Sequence, residues 1–344
     1  MTTREAHLVG SLPGSSAAEA MGMALDILGP SLHSLPDGET GERRNWILSI
    51  VEQLRAHPDL ELQREGDWSD YDKTPRFRVR RGHHLFGATL DLGHVAAVRE
   101  TFPVFEKLRT AAGREDDLAF QQGVPSDLDL AMFSFGPLGA LRHRRAFTEA
   151  TLVEVRAVAT LTGPSTLFQV EMPAELVLLA RAPAPARPPL ARLLARGLTQ
   201  LAAGAPPGTR FAVHLCLGDM NNRAYGTMGD VGPLVLLANA LVDAWPADRP
   251  LELVHAPFAA ADRPATVDPD FYAPLGQIRL PAGVRFAAGF VHEAQTLDDQ
   301  RRIRTIIEGH LGRPVVIASA CGLGRRTDEA ARVVLERTAE LCAD

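Results

Sequence analysis

The chain has 344 residues, 46% of them hydrophobic, and a net charge of −6, so it can bury one large core or two smaller ones. No basic block stands out among its 36 Lys and Arg residues, which excludes nucleic acid as the expected partner. No run approaches the roughly 20 apolar residues of a membrane span, the opening MTTREAHLVGSLPG lacks the apolar core of a signal peptide, and three cysteines make no disulfide framework; a soluble protein in a reducing cytoplasm is expected.

Taken in order, residues 6–10 form a short apolar run ending in Gly10-Ser11-Leu12-Pro13-Gly14, and 15–28 have helical spacing with a Ser cap. A second run, 32–35, ends in the dense polar loop PDGETGERR before a helix over 46–56. Residues 59–82 depart from the regular pattern and read as a hairpin-like excursion inserted after the second strand unit. A helix over 95–112 precedes a third strand at 118–122. A helix over 147–161 leads to a fourth strand at 166–170, which ends in Glu171-Met172-Pro173. The Ala/Pro-rich piece 181–189 reads as a rigid loop before a helix over 190–203. Strands at 211–216, 251–254, 284–291 and 315–318 follow, separated or closed by helices over 231–245, 297–311 and 327–342.

Eight short strands alternating with helices predict an α/β protein, a single (β/α)8 TIM barrel, with a doubly wound open sheet as the alternative. Position favours the barrel. Nearly every polar cluster follows the C-terminal end of a strand, where such barrels build their sites. There is no GxGxxG after the first strand and no GxxxxGK[ST], so nucleotide binding by those loops is not expected.

The stretch FAVHLCLGD (211–219) places His214 and Cys216 two apart on a strand, hence on one face. The stretch VVIASACGLGRR (315–326) places Cys321 at another strand end, before a turn through Gly322 and Gly324. An imidazole and two thiolates suit Zn²⁺ better than Mg²⁺ or Ca²⁺. Buried free cysteines are also ordinary core residues; the Gly-bearing polar context after each one favours a metal site. Asp219 and Asn221 follow closely enough to support the ligands. The adjacent His83 and His84 point oppositely on a strand and form no ligand pair.

These strand ends resemble the C-terminal catalytic barrel of cobalamin-independent methionine synthase, within the superfamily that also holds uroporphyrinogen decarboxylase. The resemblance spans most of the chain, and implies one domain over 1–344. HLC at 214–216 is similar to the family's HxC pair, and CGL at 321–323 to its last zinc ligand. The resemblance further implies that Glu171 in FQVEMPAE and Glu39 in PDGETGERRNW contact the substrate, with Ser11 of VGSLP in the N-terminal substrate loop and His292 of GFVH near the transferring group. It implies a zinc-dependent methyl or alkyl transferase. A small thiol, homocysteine-like or otherwise, would be ionised by the metal to attack an alkyl donor, and His292 would protonate the leaving group.

Three departures qualify this. Where the family supplies a Glu ligand after the sixth strand, LELVHAP offers His255, while Glu252 three residues earlier points to the other face; the expected metal ligands are therefore His214, Cys216, His255 and Cys321. Only one barrel is present, not two. The Ala/Pro-rich loop lacks the family's charged and aromatic pattern near the methyl donor, leaving folate and the donor's identity open, as is the oligomeric state. Alternatives are a metal-free lyase of the decarboxylase type, using Arg43, Arg44, Arg78, Arg80 and Arg81, a zinc hydrolase, and a barrel that binds without catalysis.

Overall fold

The computed structural model describes residues 4–344. β1 (Ala6–His7) leads to α1 (Ala17–Leu28), and β2 (Ser34–Pro36) to α2 (Trp46–Gln53). The antiparallel pair β3 (Leu60–Arg64) and β4 (Arg76–Val79) comes next, then α3 (His94–Ala111). Five strand and helix units follow. They are β5 (Ala119–Pro125) with α4 (Asp127–Thr162), β6 (Thr166–Met172) with α5 (Pro173–Arg181) and α6 (Arg187–Gly204), β7 (Arg210–Leu215) with α7 (Gly232–Ala244), β8 (Leu251–Pro257) with the short α8 (Pro269–Tyr272), and β9 (Arg285–Val291) with α9 (Leu297–Leu311). β10 (Val316–Ser319) and α10 (Asp328–Ala343) close the fold.

Eight strands form one parallel sheet in the order β1-β10-β9-β8-β7-β6-β5-β2, and a bridge between Ala6 and Leu32 brings its two edges together. The result is a (β/α)8 barrel. Alternation along the strands sorts side chains to two cores. Outward residues such as Phe120, Phe168, Phe211 and Phe286 are buried beneath the helices, each worth about 1.5–3 kcal/mol. Inward, Ala119, Leu167, Ala212, Leu253, Ala287, Val316 and Ala318 form an apolar floor.

Two residues further along several strands, the interior turns polar. Gln169 meets His7 at 2.8 Å and Gln121 at 3.3 Å, and Gln121 also donates to the carbonyls of Leu8 and Val9. Burial pushes the His7 imidazole down to about 3, His214 adding to the effect and Gln169 opposing it. The site rests on this satisfied layer rather than on the floor itself.

Local structure departs from the sequence reading in three places. The helix expected over 147–161 is the second part of α4, which starts at Asp127 and breaks at Gly136 (φ 71°). The loop expected over 181–189 is short, a 3-10 turn at Ala184–Ala186 standing between the end of α5 at Arg181 and the start of α6 at Arg187. α5 begins at Pro173, which reads in sequence as a stop; at the first helical position the missing N–H costs nothing.

Candidate metal centre and its cavity

Strand register puts the polar residues at one height: Glu171 on β6 pairs with His214 on β7, and His214 with His255 on β8. Cys216 lies one residue past β7 and Cys321 two past β10. The structure brings His214, Cys216 and Cys321 together, all buried, with their ligand atoms within 4.8 Å of one another. The Cys321 sulfur is 3.8 Å from both the Cys216 sulfur and His214 Nε2. Two sulfurs and a nitrogen, with no carboxylate among them, fit zinc.

The expectation that His255 is a fourth ligand is not what the geometry presents. Its Nδ1 faces His214 Nδ1 at 2.7 Å and its Nε2 faces the Ser319 carbonyl oxygen at 2.9 Å. A carbonyl only accepts, so His255 Nε2 carries a proton. Burial, with His214 and His7 nearby, drives its pKa far down and keeps the ring neutral, so Nδ1 is an acceptor and His214 Nδ1 must donate to it. That leaves the His214 Nε2 lone pair free beside the two sulfurs. Gly289 on β9 makes this possible, since a Cβ there would lie 2.8 Å from His255 Nε2 and 2.9 Å from the Ser319 oxygen. Glu252 is far from this role: it joins Arg210, Arg285 and His33 at the start of β8. Burial opposes its ionisation, but His33 and Arg210 outweigh it and hold the carboxyl at about 2.

Burial and the adjoining Cys216 sulfur push the Cys321 thiol well up, with Arg325 opposing. Arg325 donates to Asp219 at 2.7 Å, to the Cys321 sulfur at 3.4 Å and to the Arg44 carbonyl at 3.0 Å. Asp219 therefore supports Cys321 through Arg325. Asn221 instead donates to the Trp68 carbonyl and ties the β7 loop to the excursion.

Glu39 and Glu171 flank one point of β5, where a Cβ on Gly123 would lie 3.0 and 3.2 Å from their Oε1 atoms. Burial and Asp37 raise Glu39 to about 7, against Arg43 and Arg325. Burial, Glu39 and Cys321 push Glu171 well up. Glu39 holds a left-handed backbone (φ 44°), with its N–H on Asp37 Oδ1 at 2.9 Å; such strain concentrates at functional sites. The Ser11 carbonyl accepts from Leu323 and Gly324 at 2.6 and 3.0 Å, which seats its buried and unpaired Oγ against the Cys321 turn. His292, just past β9, accepts at Nδ1 from the Ala294 N–H, and its buried Nε2 has no partner among the described residues. Burial lowers its pKa, with Glu293 opposing.

A cavity of about 330 Å³ opens above the two sulfurs. Glu171, Asp219 and Arg325 reach it, and its walls include Ile47, Met132, Phe133, Val177 and Tyr225. The segment between β3 and β4 folds over one side, where the Tyr71 hydroxyl accepts from Met220 N–H and donates to the Arg223 carbonyl. Ser11, Glu39 and His292 are not among the lining residues. Of the arginines considered for a decarboxylase-like site, Arg43 pairs with Asp37, Arg78 with Glu61, and Arg80 and Arg81 are exposed, while Arg44 lies against Gly324 of the Cys321 turn.

The sequence reading missed Asp129, which also lines the cavity. Its signal was available: Ser126-Asp127-Leu128-Asp129 after a strand is a helix start rich in acids.

No family model and no curated protein matches the chain. Among solved structures, it shares its fold with a B12-independent methionine synthase from Shewanella sp. W3-18-1, in complex with selenomethionine, at a TM-score of 0.63 and 12% identity over 99% of this chain and 97% of that one. A methyltransferase from Methanosarcina mazei superposes with a TM-score of 0.57 and 12% identity over 98% of this chain and 94% of that one. At this identity the likeness is one of fold. No helix among the described residues is long and apolar enough to cross a membrane.

Proposed function

We propose that residues 1–344 form one barrel domain that acts as a zinc-dependent alkyltransferase, moving a methyl or other alkyl group to a small thiol. The carrying observation is the cluster of His214, Cys216 and Cys321 at the floor of a cavity. Three protein ligands is the number zinc enzymes use when a substrate takes the fourth place. The methionine synthase and methyltransferase named among the structural neighbours agree with this reading.

When bound, zinc supplies the Lewis acidity that holds a thiol ionised near neutral pH. The chain's own residues do the rest. His255 keeps His214 in the ligating tautomer. Glu171, which lines the cavity, orients an amino group on the thiol substrate with Glu39 behind it at Gly123, and Ser11, set against the Cys321 turn, is assigned the substrate carboxylate. The cavity walls exclude water and hold the alkyl donor in line, a positioning effect worth up to about 7–11 kcal/mol. His292 is assigned the return of a proton to the leaving group on the strength of its unpaired Nε2; since it does not line the cavity, it acts through a relay.

The test is elemental analysis of protein purified without chelators, beside a thiol-alkylation assay. About one zinc per chain in the wild type, and neither zinc nor alkylation in Cys321→Ser, is expected. A Cys321→Ser protein that alkylates thiols at the wild-type rate overturns the proposal.

A further inference from the structure

Asp129 is the buried group in the cavity that the proposed chemistry does not use. It stands in the first turn of α4, is 1% exposed, and neither carboxyl oxygen has a well-formed hydrogen bond among the described residues, only the Ala174 backbone N–H being turned toward it. Behind it on α5 is Glu175, also 1% exposed, with Ser126 beside its carboxyl. Glu175 in turn faces Asp127, whose carboxylate is taken by Arg144 at 2.7 Å and Thr148 at 2.6 Å. The carboxyl that reaches the cavity therefore has no side-chain partner.

Leaving a buried carboxyl unpaired costs free energy that a ligand can recover. Among the described residues no arginine of the cavity pairs with Asp129: Arg325 is committed to Asp219, Arg181 lies over the Tyr225 ring at 4.1 Å and donates to the Tyr225 carbonyl, and Arg76 donates to the carbonyls of Met132 and Phe133. A ligand that brings its own N–H donors can satisfy the carboxyl. The surrounding walls, Met132, Phe133, Pro137 and Val177 among them, ask for an apolar body.

We propose that Asp129, backed by Glu175, is a binding residue for a cationic amino group carried on an apolar molecule. Within the alkyltransferase reading, on which this assignment rests, that molecule is the alkyl donor. It would share the cavity with a thiol whose own amino group goes to Glu171, with Glu39 behind it.

The probes are benzylamine and benzyl alcohol, the same apolar body with and without the cation, titrated calorimetrically into the purified protein. Wild type should bind benzylamine at least about 10-fold more tightly, as for a charged hydrogen bond in a buried site. Asp129→Asn should erase the preference and Glu175→Gln should weaken it. Asp129→Asn removes a buried carboxyl, so its melting temperature should equal or exceed the wild type's, which checks folding. Equal binding of the two probes by wild type, or a preference that survives in Asp129→Asn, overturns the assignment. The titration needs neither metal nor turnover, so its failure leaves the metal centre standing, and a metal-free protein that still selects the amine would uphold the subsite alone.

Discussion

His255 and His214 meet Nδ1 to Nδ1 at 2.7 Å, and the carbonyl oxygen of Ser319 decides which of them donates. A histidine that orients another typically governs metal affinity without touching the metal. In His255→Ala, affinity should fall about 10–100-fold while zinc still binds at saturating concentration. Competition with a chelator measures the fall. Outright loss of stoichiometry, as expected for Cys321→Ser, would instead make His255 a ligand.

Gly289 admits that contact, and its replacement should break it from the opposite side. A Cβ 2.8 Å from His255 Nε2 must push the ring or the Ser319 carbonyl away. Gly289→Ala is expected to cost about 1–3 kcal/mol of stability and to weaken zinc binding much as His255→Ala does. Urea denaturation and the same chelator competition give the two values. Unchanged zinc affinity in a folded Gly289→Ala protein would show that the tautomer does not depend on this contact.

The sulfurs of Cys216 and Cys321 lie 3.8 Å apart. Once metal is stripped, hydrogen peroxide should oxidise the two thiols to a disulfide, the peroxide being reduced to water. Mass spectrometry would then record the loss of two hydrogens, and thiol titration would find Cys342 alone. Zinc-loaded protein should resist. Equal oxidation with and without zinc would argue against metal ligation by these thiols.

Glu39 carries a pH signature. Its folded pKa of about 7 exceeds the unfolded value of about 4.3, so between these the folded chain binds more protons than the unfolded one. Stability from this group is complete below the lower value and is lost as pH rises through the upper. Glu39→Gln removes that dependence. Its melting temperature should fall less steeply than the wild type's from pH 5 to pH 8, and the variant should gain on the wild type toward pH 8. Parallel curves would mean that Glu39 is not the titrating member of the pair with Glu171.

The cluster of His214, Cys216 and Cys321 was legible in the sequence because strand periodicity and Gly-rich turns are local signals. Glu39 and Glu171 were legible only through the family resemblance. Their convergence depends on Gly123 of a third strand, which no spacing rule reveals. His255 was placed correctly at the barrel's interior and given the wrong contact, since a histidine on an adjacent strand can face either the cavity or its neighbour's ring. That choice is made by the Ser319 carbonyl on β10, 64 residues away. Asp129 was missed because helical spacing was followed only beyond the break at Gly136, although the acid-rich start after Ser126 was in view.

That break separates two tasks within one helix. The part of α4 before Gly136 carries Asp129, Met132 and Phe133 to the cavity, and Arg76 takes the carbonyls that the interruption leaves open. The part after it packs Phe147, Ala150, Val155 and Val158 into the core. Only glycine accepts the junction's backbone without strain. The short first part can therefore change its residues, generation by generation, and alter which molecules the cavity admits while the long second part goes on holding the barrel unchanged.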